Sequence, residues 1–227
     1  MTQYPAQPPG ARQRLGCLAK ICGVTDPDSV AAVARRGASH IGFNFVPASP
    51  RFITPERAAP LVHQARALGL VSVAVVTDAD DALVASVTGT SGVDMVQLHG
   101  AETPQRALAL HARGVRLIKA LGIATRDDLS RAADFAPACE MLLLDAKAPG
   151  DASMTGGHGL AFDWTVLAGF HAPLPWFLAG GLTPQTVAEA VRRTGAPGVD
   201  VSSGVESSRG VKDTALIAAF LDALRVP

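Results

Sequence analysis

The sequence predicts one closed (β/α)8 barrel, a TIM barrel of eight parallel strands, and three observations carry that reading. Eight short apolar runs recur along the chain, alanine-rich stretches of helical spacing separate them, and capping residues mark helix starts and stops. Strands alternating with helices of this length imply parallel pairing, because a parallel crossover needs a helix-length connection. An open doubly wound sheet would normally carry G-x-G-x-x-G after its first strand. Cys22-Gly23-Val24-Thr25 stands there instead, which favours the barrel.

The runs begin near Leu18 (LAKICG), His40 (HIGFNF), Val71 (VSVAVV), Met95 (MVQLHG), Arg116 (RLIKAL), Met141 (MLLLDA), Pro175 (PWFLAGG) and Gly198 (GVDVSSG). Helical spacing is expected over Ser29–Arg36, Ala58–Leu68, Gln105–Ala112 and Thr186–Arg193. Asp26-Pro27, Thr54-Pro55, Thr103-Pro104 and Thr183-Pro184 each pair a capping side chain with proline at the first helical position. Thr125 and Asp128 resemble a capping box with Asp in place of Glu. Gly37, Gly69, Gly114 and Gly195 are expected to close helices.

Composition narrows the function. The 227 residues are 48% hydrophobic and 18% charged, enough for a substantial core, and suit one domain of this architecture. The zero net charge argues against a nucleic-acid binder. Three widely spaced cysteines form neither a disulfide framework nor a zinc motif, which fits a reducing compartment. Residues 1–17 lack the apolar core of a signal peptide and read as a flexible tail ahead of a single catalytic domain, 18–227. No run is long and apolar enough to span a bilayer, so a cytoplasmic location and no membrane partner are expected. No helix shows a second apolar face, which favours a monomer over a homodimer. The chain begins with Met and ends just after its last helix, which fits a free-standing protein rather than one domain of a fusion.

In such a barrel the active site lies where the strands end and the loops to the helices begin. Those ends carry Cys22, Asn44, Thr77 and Asp78, His99, Lys119, Asp145, Gly180-Gly181 and Ser202-Ser203-Gly204. The last two groups follow strands seven and eight, where glycines let backbone N–H groups approach phosphate oxygens. The plainer reading is that these glycines only permit tight turns. Cys22 and Asp145 are the candidate acid–base pair. Lys20 shares a strand face with Cys22, and if that face is inward its ammonium favours the thiolate; otherwise Cys22 is a small buried hydrophobe. Asp145 ends a wholly apolar strand, where it either caps a turn or, desolvated, keeps its proton as a general acid. His99 is a rim histidine or a substrate contact. Arg51, in Ser49-Pro50-Arg51, is a surface charge or reaches over the barrel mouth to a carboxylate or phosphate. The six histidines hold no metal-binding spacing, so no metal is expected.

Taken in order, these strand ends resemble phosphoribosylanthranilate isomerases of tryptophan biosynthesis. The segments that carry the resemblance are Lys20-Ile21-Cys22-Gly23, Gly42-Phe43-Asn44-Phe45 with Ser49-Pro50-Arg51, and Val96-Gln97-Leu98-His99-Gly100. They continue with Leu143-Leu144-Asp145, Gly156-Gly157-His158-Gly159 before Phe162-Asp163-Trp164, Leu178-Ala179-Gly180-Gly181-Leu182, and Gly198 to Glu206. The match runs from about Lys20 to Leu224, and the ordered set is specific although each segment alone is weak. The resemblance implies an Amadori rearrangement of N-(5-phosphoribosyl)anthranilate, a small phosphorylated substrate. It implies Asp145 as general acid, Cys22 as general base, Arg51 on the anthranilate carboxylate, and the Gly180-Gly181 and Ser202-Ser203-Gly204 loops on the phosphate. Lys20 and His99 are also expected among the substrate-binding residues. No cofactor is expected, since the Schiff-base nitrogen inside the substrate is itself the electron sink.

Two rivals are a related histidine-pathway or dual-substrate isomerase and a catalytically silent phosphate-binding barrel. By resemblance the histidine-pathway enzymes place an aspartate where Cys22 stands. A silent barrel has no need for both Cys22 and Asp145.

Overall fold

The computed structural model describes residues 15–146 and 164–225. The loop segment around His158, together with Phe162 and Asp163, lies outside the described residues, as does most of the N-terminal tail. Leu15 nevertheless bridges Arg225, and the Gly16 N–H donates to the Leu224 carbonyl, so the last residues of the expected tail are tied to the C-terminal end of the fold.

Eight parallel strands close into a barrel in chain order: β1 (Leu18–Cys22), β2 (His40–Asn44), β3 (Val71–Val76), β4 (Met95–Leu98), β5 (Leu117–Ile123), β6 (Met141–Ala146), β7 (Trp176–Ala179) and β8 (Gly198–Val201). Closure is made by β1 against β8, with Lys20 opposite Asp200. Two strands start one residue later than the sequence suggests, at Leu117 and Trp176.

Alternation along each strand divides the core into two layers. Val73, Met95, Ile118, Ala120, Met141, Leu143, Phe177 and Ala179 fill the barrel interior. The intervening residues, among them Ile21, Ile41, Val76, Leu98, Leu144 and Val199, face outward against the helices. Because both faces are covered, the strands read as continuous apolar runs rather than alternating ones.

The helices are α1 (Pro27–Arg35), α2 (Pro55–Ala67), α3 (Asp81–Gly89), α4 (Pro104–His111), α5 (Val187–Thr194) and α6 (Thr214–Asp222). The side chains of Asp26, Thr54 and Thr103 accept the expected N-terminal hydrogen bonds, from Ser29, Arg57 and Arg106 respectively. Gly37, Gly69, Gly114 and Gly195 all have positive φ, the left-handed exit that closes a helix.

One expectation fails. Thr183 does not cap α5; the Thr186 hydroxyl accepts from the Thr183 N–H instead, and the helix starts at Val187. The segment after β5 is a 3-10 helix, Arg126–Phe135, and Thr125 and Asp128 form the expected capping box at its start. The Asp128 carboxylate accepts from the Thr125 N–H at 2.8 Å and the Ser130 hydroxyl bonds the Asp127 carbonyl, and such short polar side chains compete with α-helical backbone bonding. Another 3-10 turn, Trp164–Leu167, precedes β7. The β8 loop carries a small antiparallel hairpin, β9 (Glu206–Ser208) and β10 (Val211–Lys212). Among the described residues no helix is long and apolar enough to cross a membrane.

Candidate active site

At the strand C-termini a cavity of about 480 Å³ opens to solvent. Cys22, Asn44, Thr77, Gln97, His99 and Asp145 form its floor and wall, the Ser49–Arg51 loop one side, and Gly180, Gly181 and Ser202 to Gly204 the other. Nine of the ten site residues expected from the sequence therefore border one space.

Lys20 is the exception. It is fully buried one layer below, and its Nζ lies 2.8 Å from Asp200 Oδ1. Burial would lower its pKa, but Asp200 and Cys22 outweigh burial and raise it, so the ammonium stays charged. Its place under Cys22 follows from the two-residue alternation on β1. Cys22 sits at the cavity floor, with 8% of its surface exposed. Burial pushes the thiol up, opposed by Lys20 and Lys212. Lys20 thus acts in the expected direction, but desolvation wins. Gly42 makes room for this pair, because a Cβ there would stand 2.9 Å from Cys22 Sγ and 3.2 Å from Lys20 Cε.

Asp145 ends β6 across the barrel. Its side chain keeps 31% exposure, so the desolvation expected around it is incomplete in the open cavity. His99 Nε2 lies 3.4 Å from Asp145 Oδ2, and His99 Nδ1 is 2.7 Å from the amide nitrogen of Gln97.

Arg51 does reach the barrel mouth, and its direction is fixed from outside the cavity. Its Nε and Nη2 donate to the two Glu206 oxygens at 2.6 and 2.9 Å, a bidentate pair. Lys212 Nζ donates to the same carboxylate at 2.7 Å and to the Ser202 carbonyl at 2.9 Å. Burial would raise the Glu206 carboxyl, but Arg51, Lys212 and the Gly210 N–H hold it at about 2. The Arg51 stem crosses Gly23, where any Cβ would overlap Arg51 Cδ.

Gly180 and Gly181 both have positive φ, 96° and 64°, which turns the β7 loop back over the cavity. Gly204 packs so closely on the Leu182 carbonyl that a side chain cannot fit, which brings the β7 and β8 loops together. The two glycine-bearing ends thus form one concave wall of backbone, and only small residues allow it.

Lys119 is not part of this site. Ile118 and Ala120 face inward, so Lys119 faces outward, fully buried. It lies 2.6 Å from Glu102 and 2.8 Å from the Gly100 carbonyl. Glu102 also accepts from the N–H groups of Asp78 and Gly100, and Asp78 accepts from Ala101. Lys119 and Asp78 therefore brace the rim behind His99.

Gln97, Asp200, Glu206 and Lys212 were given no role in the reading from sequence. Gln97 and Asp200 each stand two residues before an expected site residue on the same strand face, a signal that was available. Glu206 and Lys212 meet Arg51 only through the fold. Among the described residues no three His, Cys, Asp or Glu side chains gather as a metal site would require.

Residues 19–223 match the family described as N-(5'-phosphoribosyl)anthranilate (PRA) isomerase. The N-(5'-phosphoribosyl)anthranilate isomerase of Paracoccus denitrificans is 49% identical over 209 residues, covering 92% of this chain and 97% of that protein. The crystal structure of the phosphoribosyl anthranilate isomerase from Thermotoga maritima superposes with a TM-score of 0.82 at 31% identity, over 92% of this chain and 98% of that one. A phosphoribosyl anthranilate isomerase in complex with reduced 1-(o-carboxyphenylamino)-1-deoxyribulose 5-phosphate superposes at 0.79 with 29% identity, over 92% and 98%. With nearly its whole length matched, this chain belongs to the N-(5'-phosphoribosyl)anthranilate isomerase family.

Proposed function

We propose that this chain rearranges N-(5'-phosphoribosyl)anthranilate to 1-(2-carboxyphenylamino)-1-deoxyribulose 5-phosphate by general acid–base catalysis. The observation that carries the proposal is the convergence of Cys22, Asp145, Arg51 and the two glycine loops on one cavity. Asp145 gives a proton to the ribose ring oxygen. The C1'–O bond breaks, and the anilino nitrogen's lone pair forms the C1'=N bond of a cationic Schiff base. Cys22 takes the C2' proton in its thiolate form, the minor form, which Lys20 and Lys212 favour against burial. The C–H electrons become the C1'=C2' bond and the nitrogen is neutralised. The resulting enolamine shifts a proton from the C2' hydroxyl to C1', giving the ketone.

The free guanidinium edge of Arg51 suits the anthranilate carboxylate, and the backbone wall at Gly180, Gly181, Ser202, Ser203 and Gly204 suits the phosphate. Both proton transfers are completed by the protein and substrate alone. We also read the chain as a monomer. Among the described residues the exposed large hydrophobics, Phe52, Leu68, Leu108 and Val211, sit on separate elements. Sedimentation at micromolar concentration tests this, and a dimer mass refutes it.

The decisive experiment follows the loss of anthranilate-type fluorescence when freshly made substrate is added, with the no-enzyme rate subtracted. Wild type should convert it rapidly, with Cys22→Ser and Asp145→Asn each slowed about a hundred- to ten-thousand-fold. Folded wild type that converts nothing would sink the assignment. Turnover by wild type with either variant undiminished would sink that residue's role.

A further inference from the structure

Among the described residues, Gln97 is the one fully buried polar side chain that faces the cavity floor without a charge of its own. It lies on β4 between Val75 of β3 and Ile118 of β5, with Met95 beneath it on the same strand face. Its amide nitrogen is 2.7 Å from His99 Nδ1, and its amide oxygen is buried with no hydrogen-bond partner. On the far side of the ring, His99 Nε2 lies 3.4 Å from Asp145 Oδ2.

This orientation has a physical cause. Turning the amide over would aim its oxygen at His99 and leave an NH2 group where the unpartnered oxygen now sits. That exchanges an orphaned acceptor and one spare N–H for two spare N–H groups among apolar neighbours, and buried N–H groups without partners are the rarer kind. With the NH2 facing Nδ1, that ring nitrogen must accept. The neutral ring then carries its proton on Nε2, beside Asp145.

We propose that Gln97 is a positioning residue: its amide fixes His99 as the Nε2–H tautomer, which donates to the Asp145 carboxylate created when the general acid gives up its proton. The bond strengthens as that charge develops, so it favours the state after proton transfer over the state before it. The reverse tautomer would present a lone pair to the new carboxylate and oppose it. This inference rests on Asp145 being the general acid of the proposed reaction.

The test reads the tautomer directly and the reaction separately. Full-length protein is labelled with 15N-histidine, and the His99 ring signals are assigned by their loss in His99→Gln. Wild type should show a protonated Nε2 and a bare Nδ1. Gln97→Glu puts an acceptor at the same place and should move a proton onto Nδ1. Gln97→Met removes the amide at similar size and should leave the ring in a mixture of tautomers. Each variant should lower kcat at least about tenfold, with KM changed far less, in keeping with the cost of a mis-set tautomer in other acid–base sites. Thermal midpoints check that each variant is folded, and Gln97→Met carries the test if Gln97→Glu does not fold. A wild-type ring protonated on Nδ1 would overturn the proposal. So would folded variants with an altered tautomer and unchanged kcat. The nitrogen signals are read without substrate, so a failure of the isomerase assignment would leave the tautomer result standing and be recognised as a different failure.

Discussion

The Arg51–Glu206–Lys212 cluster makes a quantitative prediction about acid stability. Glu206 is held at about 2 against an ordinary value of 4.5, because two cations and a backbone N–H favour its charged form. A carboxyl depressed in the folded state stabilises the fold above its unfolded value and loses that contribution as pH falls through 4.5 toward 2. At about 1.4 kcal/mol per unit the full shift would correspond to about 3 kcal/mol. Arg51 is partly open to the solvent-filled cavity, and screening reduces the figure to about 1–2 kcal/mol. Glu206→Gln keeps the shape and removes the charge. Urea unfolding of wild type and variant should differ by about 1–2 kcal/mol at pH 7, with the gap closing as pH falls from 5 toward 3. The same substitution frees Arg51 to swing, so substrate KM should rise more than kcat falls. A stability gap that stays constant with pH, or no gap at neutral pH, would refute the reasoning.

Other perturbations follow from other buried groups. His40 is held down at about 4 by burial, its Nε2 unpartnered against Phe177. The unfolded chain takes up a proton near 6.5, so stability should fall by about 3 kcal/mol between pH 6.5 and 4, a slope that His40→Leu removes in pH-dependent unfolding. Because the Cys22 thiol is pushed up by burial, inactivation by iodoacetamide should accelerate about tenfold per pH unit up to pH 9 with no plateau; a plateau near neutrality would contradict the burial argument. Lys119→Met strands the buried Glu102 charge and should cost about 3–5 kcal/mol in urea unfolding, with part recovered in the double variant Lys119→Met/Glu102→Gln.

The barrel was legible because its signals are local and redundant. Proline at the first helical turn and glycine at helix exits phase the chain independently of the apolar runs, and they agree with them. The reading failed where polar side chains rewrite the backbone, at Thr183–Thr186. Within the site, the strand-end rule located Cys22, His99 and Asp145 because fold position alone puts them at the cavity. It could not supply Glu206 or Lys212, which meet Arg51 across long sequence separations and lie on a hairpin with no apolar signature.

The two buried lysines on β1 and β5 show what parity adds to strand-end position. Both are fully enclosed and both pair with a carboxylate, Lys20 with Asp200 and Lys119 with Glu102. From sequence each stands near a strand end and each reads as a site cation. Lys20 shares the inward face with Cys22, so its charge acts on the thiol from below. Lys119 lies between Ile118 and Ala120, whose inward packing turns it to the outer layer, where it holds the Gly100 carbonyl and Glu102. A one-residue offset along a strand separates a charge that acts on the Cys22 thiol from one that braces the loop beside it. The apolar neighbours decide the face, because a one-residue slip would take Ile118 and Ala120 out of the inner core and put a charged lysine in their place. Parity set by the inner core residues is therefore the reading that sorts strand-end cations in this barrel.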